Sequence, residues 1–358
     1  MKTSQETKRL RRSLLAWYDK EGRTLPWRIR PEDRAAGAIA DPYQIWLSEI
    51  MCQQTVVKAA TPYWYKFLKL WPSVEGLAAA PLDDVLTAWA GLGYYARARN
   101  LHKCAKTVVG EFGGAFPNSE AALLKLPGIG PYTAAAIAAI CWHEATNVVD
   151  GNVERVMTRL RAVETPIPKA RPEIRALASN VAAPRRPGDY AQALMDLGSV
   201  ICKPKNPKCD MCPWRFSCLA FKNGNPERYP VRPKKTKRPI RYGAVFYLER
   251  GGKILLRRRP ETGLLGGMME LPGTDWTEEK PASDELWLSA APARKNWRKG
   301  AEPVLHIFTH FELRLTVFYA QGGPQFGGQW HDLQALDLVA LPSVMRKAIA
   351  AGQAVLNR

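Results

Sequence analysis

No apolar run in this chain of 358 residues approaches the roughly 20 needed to span a bilayer. The opening MKTSQETKRLRRS also lacks the apolar core of a secretory signal, so a cytoplasmic protein with no membrane partner is expected. There is no internal repeat and, outside one basic stretch, no low-complexity tract. Acidic residues are the scarce charge: 33 Asp and Glu stand against 52 Lys and Arg, a formal excess of +19. Such an excess favours an anionic polymer as partner over a small neutral substrate. The hydrophobic share of 46% is ordinary for a globular protein, and the length suits two domains better than one core.

From Lys8 to Phe221 the chain reads as Ala- and Leu-rich helical stretches broken by Gly and Pro turns, so residues 1–221 are expected to be all-α. Residues 222–241, dense in Pro, Lys and Arg, read as a solvated linker able to lie along a phosphate backbone. Beyond it YGAVFYL, KILLRRR and LHIFTHFELRLTVFYA show strand-like patterns and 333–350 looks helical, which makes 242–358 an α+β domain.

Of seven cysteines, four crowd into C-x6-C-x2-C-x5-C at Cys202, Cys209, Cys212 and Cys218. In a reducing compartment that cluster is expected to bind metal rather than form disulfides. Four thiolates suit zinc or a [4Fe-4S] cluster, and spacing alone leaves both open. Lys203, Lys205, Lys208 and Arg215 stand in or beside the pinned loops, where they can meet phosphates. Cys52, Cys104 and Cys141 read as small core residues.

Residues 118–142 read as a short helix, a turn at Pro127, Gly128, Ile129 and Gly130, and a second helix opened by Pro131. This is the pattern of a helix-hairpin-helix, in which Gly128 and Gly130 let backbone approach an anion held by the free N–H groups of the second helix. An ordinary turn between packed helices would look similar.

Two carboxylates stand out. Asp41 as cap and Pro42 at the first helical position set the phase of DPYQIWLSEIMCQQT, and Glu49 then shares a face with Ile45 and Trp46. A carboxyl buried there has its pKa raised toward a value useful for proton donation, whereas a solvated helix Glu would not. Asp150 reads as the cap of GNVERVMTRLRAV, kept ionised by the helix N–H groups. By itself it is a plain cap, but glycosidic cleavage through an oxocarbenium-like state wants one carboxyl that is protonated and one that stays negative.

LPWR (25–28), DPYQIWLSEIMCQQT, GLGYYARARNLHKCA, LPGIGPYTA, VVDGNVERV, QALMDLGSVIC and the four-cysteine pattern occur in an order that resembles the endonuclease III superfamily of helix-hairpin-helix glycosylases, and within it the MutY-type adenine DNA glycosylases. The resemblance covers nearly the whole chain. It implies an all-α glycosylase region with a [4Fe-4S] loop at 202–218, then a MutT-like (Nudix-like) domain, with adenine flipped out of duplex DNA into the cleft. It makes Glu49 the general acid, Asp150 the stabiliser of the cationic sugar, and Tyr132 and Asn152 supports for that intermediate. Arg23, Trp27 and Gln192 fall around the flipped base. Gln54 and Tyr94 fall as wedges beside 8-oxoguanine, which Phe308, Thr309 and His310 are expected to probe. The implied partner is double-stranded DNA carrying A opposite 8-oxoguanine or G, met by a monomer at the nucleoid.

Bifunctional relatives carry a Lys where Tyr132 stands, so base release without strand cleavage is expected. A lyase of endonuclease III type acting on oxidised pyrimidines is the nearest alternative. A Nudix hydrolase would need R-E-x-x-E-E after TGLLGGMMELPG, and TDWTEEKPASDEL does not supply it, so this domain should bind without hydrolysing. Further departures are Thr309 for the family's Ser, Cys52 for an aliphatic residue, and the insertion IRPEDRAAGAIA at 29–40, to which the sequence assigns no function.

Overall fold

The computed structural model describes residues 4–233, 237–322 and 328–356. The chain groups into two compact units, Met1–Ala79 with Lys103–Lys234, and Ala80–His102 with Lys235–Arg358. Among the described residues no helix is long and apolar enough to cross a membrane.

The first unit is helical. Its opening helix, Ser4–Glu21, places Leu10, Leu14 and Tyr18 one turn apart on a single face, buried against Val153, Met157, Leu160 and Ile174. Helix Pro131–Trp142 packs through Ala135, Ala136 and Ala139 against Ala191 and Met195 of helix Pro187–Asp196. Small side chains let these backbones come close, and all of Pro187–Asp196 is buried.

The inserted segment carries a short helix, Pro31–Ala35. Arg30 before it is buried and donates to the carbonyls of Gly22 at 3.0 Å and Asp19 at 3.1 Å. The insertion therefore supplies a cation to the carbonyl end of the first helix, where orphan acceptors and the dipole favour one.

The basic stretch read as a solvated linker is a correction in its first part. Tyr229 is buried, its hydroxyl donates to Glu164 at 2.6 Å, and its carbonyl accepts from Arg159 Nε at 3.0 Å. Val231 continues the attachment, accepting from Ile167 N–H at 3.0 Å. A ring that buries apolar area while its hydroxyl finds an acceptor anchors a chain which composition makes look free. Residues 234–236 of this stretch lie outside the described residues.

The second unit is built on a mixed sheet: β1 (Ile240–Arg250), β2 (Lys253–Arg258), β3 (Met269–Glu270), β4 (Arg298–Lys299), β5 (Val304–Ile307), β6 (Glu312–Gln321) and β7 (Gln329–Asp332). The order is β3-β2-β1-β6-β4, with β5 on β6 and β7 on β2. β1 and β6 run parallel, Ile240 opposite Glu312 through Glu249 opposite Gln321, and the other pairings are antiparallel. Both central strands carry continuous buried runs because both faces are covered. Helix Ser343–Leu356 covers one through Val344, Met345, Ala348 and Ile349, and Trp287 and Trp297 pack on the other. The helical reading of 333–350 resolves into a 3-10 helix, Leu333–Leu338, and an α-helix from Ser343. Within this unit Arg258 pairs with Asp83 through two bonds of 2.7 and 2.6 Å, and Arg99 donates to Gly266 O at 2.6 Å.

Candidate active site and cluster loop

Asp41 accepts from Tyr43 N–H at 2.9 Å and Pro42 opens helix Pro42–Cys52, so the phase is the one the sequence predicts. Ile45, Trp46 and Glu49 are buried together, with Glu49 only 9% exposed. Burial pushes the Glu49 carboxyl up to about 7. The Tyr132 hydroxyl, which donates to Glu49 Oε2 at 2.8 Å, and the charge of Arg28 pull it back, while the charge of Asp150 pushes further. At neutral pH a substantial share of Glu49 is protonated and able to donate. Tyr132 itself is held as a phenol, since burial and the two carboxylates raise its pKa well above the ordinary value. Its hydroxyl also lies 3.7 Å from Met195 Sδ.

Asp150 caps helix Gly151–Arg161, accepting from Val153 N–H at 2.7 Å and from Asn152 Nδ2 at 2.7 Å. The sequence reading kept it ionised through these donors, and burial acts against them. Burial outweighs the hydrogen bonds and Arg155, so the pKa lies above the ordinary carboxylate value. Burial thus opposes the ionised form, which a cation beside it would favour.

Asn152 is fixed in turn. Its Oδ1 accepts from Arg155 Nη2 at 2.9 Å, and the same guanidinium donates to Gly198 O at 2.6 Å and, through Nε, to Cys202 O at 2.7 Å. Gly198 lies in a π-helical turn, Leu197–Ile201, and a Cβ there would stand 2.5 Å from Asn152 Cβ. Only glycine lets this turn approach the Asp150 helix, and nothing in the sequence reading singled out Gly198 or Arg155.

Other base-pocket candidates fall into place unevenly. Arg23 is not a free donor: its backbone N–H and its Nε both bond Asp196, joined there by Arg28 Nη1 at 2.7 Å. Burial pushes Asp196 up, but Arg28 and Arg23 outweigh it and hold the carboxyl below its usual range. Asp196 and Arg28 went unnoticed in the sequence. Trp27 is buried, its ring 5.6 Å from that of Trp64. Gln192 is buried and donates to Gly188 O at 3.2 Å, within its own helix. Cys104 is a core residue as expected, whereas Cys52 and Cys141 are only half-buried.

The hairpin forms as Glu120–Leu123, a turn, and Pro131–Trp142, with Gly128 at φ +76° and Gly130 as cap. A Cβ at Gly130 would meet nothing within 4 Å, so the turn is open to a ligand. Gln54 and Tyr94 both adopt left-handed backbone, at φ 55° and 49°, a conformation that non-glycine residues rarely hold without a local reason. Tyr94 is 48% exposed, and its hydroxyl lies 3.0 Å from Thr309 Oγ1. Thr309 and His310 are exposed, while Phe308 is half-buried among His306, Phe311 and Trp276. No helix forms from Leu271 to Ser283, where a Nudix helix would stand.

The four clustered cysteines line one cavity with Arg159 and Arg215. Four thiols around one cavity are the donor set that either zinc or a [4Fe-4S] cluster takes. Burial pushes the Cys212 thiol up to about 12. Arg159 Nη1 donates to Cys202 Sγ at 3.4 Å. Lys203, Lys205 and Lys208 are exposed around the loop.

Family models match this architecture piece by piece: an HhH-GPD superfamily base excision DNA repair protein at 47–182, the iron-sulfur binding domain of endonuclease III at 202–218, and a NUDIX domain at 244–351. The adenine DNA glycosylase of Homo sapiens is 35% identical over 87% of this chain and 67% of its own length. That of Buchnera aphidicola subsp. Schizaphis graminum is 31% identical over 94% of this chain and 96% of its own. The chain belongs to the adenine DNA glycosylase family. Among solved structures, a thermostable thymine-DNA glycosylase superposes with a TM-score of 0.54 at 25% identity, over 61% of this chain and 98% of its own. The iron-sulfur match at 202–218 spans Cys202, Cys209, Cys212 and Cys218 and gives this glycosylase a [4Fe-4S] cofactor.

Proposed function

We propose that this adenine DNA glycosylase acts without lyase activity on adenine placed opposite 8-oxoguanine or guanine in duplex DNA. The observation that carries the reading is the pairing of Glu49, buried and raised to about 7, with Asp150 beside one tyrosine phenol. Glu49 gives its proton to the flipped adenine, at N7 in the reading that the family resemblance implies. The C1′–N9 bond then breaks with its electron pair leaving on the base. Asp150, costly as an anion in the empty site, is stabilised by the oxocarbenium and stabilises it in return. Water adds to C1′ and returns a proton to Glu49. Tyr132 has no amine with which to form a Schiff base, so no β-elimination follows.

Cys202, Cys209, Cys212 and Cys218 would hold the cluster, which when bound would cross-link the loop bearing Lys203, Lys205 and Lys208. Arg155, which bridges Asn152 to the Cys202 carbonyl, is a positioning residue between that loop and the sugar site.

Because the protonated form of Glu49 does the work, single-turnover adenine release should be fastest below about pH 7 and fall as pH rises through it. A rate unchanged up to pH 9 would contradict this role.

The substrate is tested by incubating the protein with duplexes carrying A opposite 8-oxoguanine, A opposite G, or an oxidised pyrimidine, with and without alkali. Chemistry on the first two only, with breaks only after alkali, is expected. Breaks on the pyrimidine duplex without alkali would instead favour the endonuclease III-type lyase. For the lesion itself, Thr309→Ala with His310→Ala should slow release opposite 8-oxoguanine by about one to two decades more than opposite G, as loss of one or two hydrogen bonds implies. Equal losses on both duplexes would move lesion reading away from this loop.

A further inference from the structure

In the second unit a cavity of about 550 Å³ opens beside β2, in the size range of small-ligand sites. Its lining includes Arg241, Arg257, Arg259, Glu270 and Trp276. Glu270 is buried and spans two of the arginines, accepting from Arg257 Nε at 2.9 Å and from Arg259 Nη1. One carboxylate thus holds two guanidiniums in the wall and neutralises only one of them. Arg258, also in the lining, is engaged by Asp83, and Asp275 stands exposed at the rim.

Arg241 differs from these. Its Nε is buried and has no hydrogen-bond partner, and its nearest carboxylate, the exposed Glu278, is 3.8 Å from Nη2. The side chain as a whole is 40% exposed, so its Nη groups are open to an acceptor. The guanidinium is set in place by lying 4.6 Å over the Phe311 ring. A planar fork with an accessible Nη end, next to two more arginines held rigid by a shared carboxylate, matches the oxygens of a phosphate.

We propose that this cavity binds the phosphate group of a nucleotide, within a DNA strand or free in solution. The site is separate from the helix-hairpin-helix and does not depend on the Thr309 and His310 contacts. It is nonetheless their neighbour, because Trp276 stands 5.6 Å from Phe308 and Arg241 covers Phe311, at the two ends of that loop.

The test uses the full-length protein carrying Glu49→Gln to prevent turnover, with Arg241→Gln or Arg241→Lys added. Duplex affinity is measured against salt, and dGMP binding by calorimetry. If the phosphate belongs to DNA, Arg241→Gln lowers the slope of log K against log salt by about 0.9, the value of one phosphate contact. If it belongs to a free nucleotide, that slope is unchanged and the parent binds dGMP at least about tenfold more tightly than Arg241→Gln. Either result supports the site and identifies its source. Arg241→Lys, which keeps the charge, should retain the salt slope and lose any dGMP affinity of the parent, and Arg241→Met, which removes the charge, serves in place of Arg241→Gln if that variant fails to fold. Unchanged slope together with dGMP binding that is absent, or equal in parent and variants, would overturn the proposal.

Discussion

Glu49→Gln is expected to leave duplex binding nearly intact and to abolish adenine release, with a loss of at least the roughly 10²- to 10⁴-fold typical of general acid catalysis. The amide still accepts from the Tyr132 hydroxyl, now 2.8 Å from Glu49 Oε2, so the pocket keeps its shape. What disappears is the proton. The variant should also change stability in a way that a merely structural residue would not. Burial raises the folded pKa of Glu49 from 4.5 to about 7, so its contribution to stability is full below about 4.5 and is lost as pH rises through about 7. Gln, which does not ionise, has no such loss. Thermal unfolding of the two proteins should therefore nearly coincide at pH 5 and diverge at pH 8, with the variant the more stable by on the order of 3 kcal/mol. Near-wild-type single-turnover release would remove Glu49 from the chemistry, and identical pH dependence of unfolding would remove the raised pKa.

Asp150→Asn separates charge from fold even more cleanly. Asn caps a helix about as well as Asp, so Val153 N–H keeps its acceptor and Gly151–Arg161 its start, while Asn152 Nδ2 loses one. The anion opposing the cationic sugar is gone, and release should fall on the order of 10²- to 10³-fold or more, as when a preorganised electrostatic partner is removed. Because burial makes the Asp150 anion costly in the folded protein, the same variant should melt no lower than wild type at pH 7.5 and above. A large fall in melting temperature with modest loss of rate would mean that Asp150 serves the helix rather than the sugar.

Glu49 was legible in the sequence because Asp41 and Pro42 fix where its helix begins, and a fixed start converts spacing into direction: three and four residues back lie Trp46 and Ile45. Asp150 was legible as a cap, but the direction of its pKa shift was not. A cap pattern shows the donors, whereas the burial that outweighs them comes from the rest of the fold. Arg23 shows the same limit. Read alone it is a donor near a base, yet in the structure it is bound to Asp196, 173 positions away. With 52 Lys and Arg against 33 acids, no reading of the chain can say which cation an acid will hold.

The sequence by itself determined the elements and their local chemistry: the four-cysteine spacing, the Gly-Pro turn that opens Pro131–Trp142, the strands β1, β2 and β6, and a helix phase that buries Glu49. These depend on neighbours within a few positions, which share a turn, a face or a pleat. Tertiary structure alone decided the Tyr132 bond to Glu49, the Arg155 bridge from Asn152 to Cys202, the close approach that Gly198 permits, the anchoring of Tyr229, and the meeting of Tyr94 with Thr309 across 215 positions. Each joins elements whose relative placement is set by packing. A side chain's neighbours across a helix interface or a sheet edge follow from how whole faces bury one another, and no periodicity along the chain encodes that.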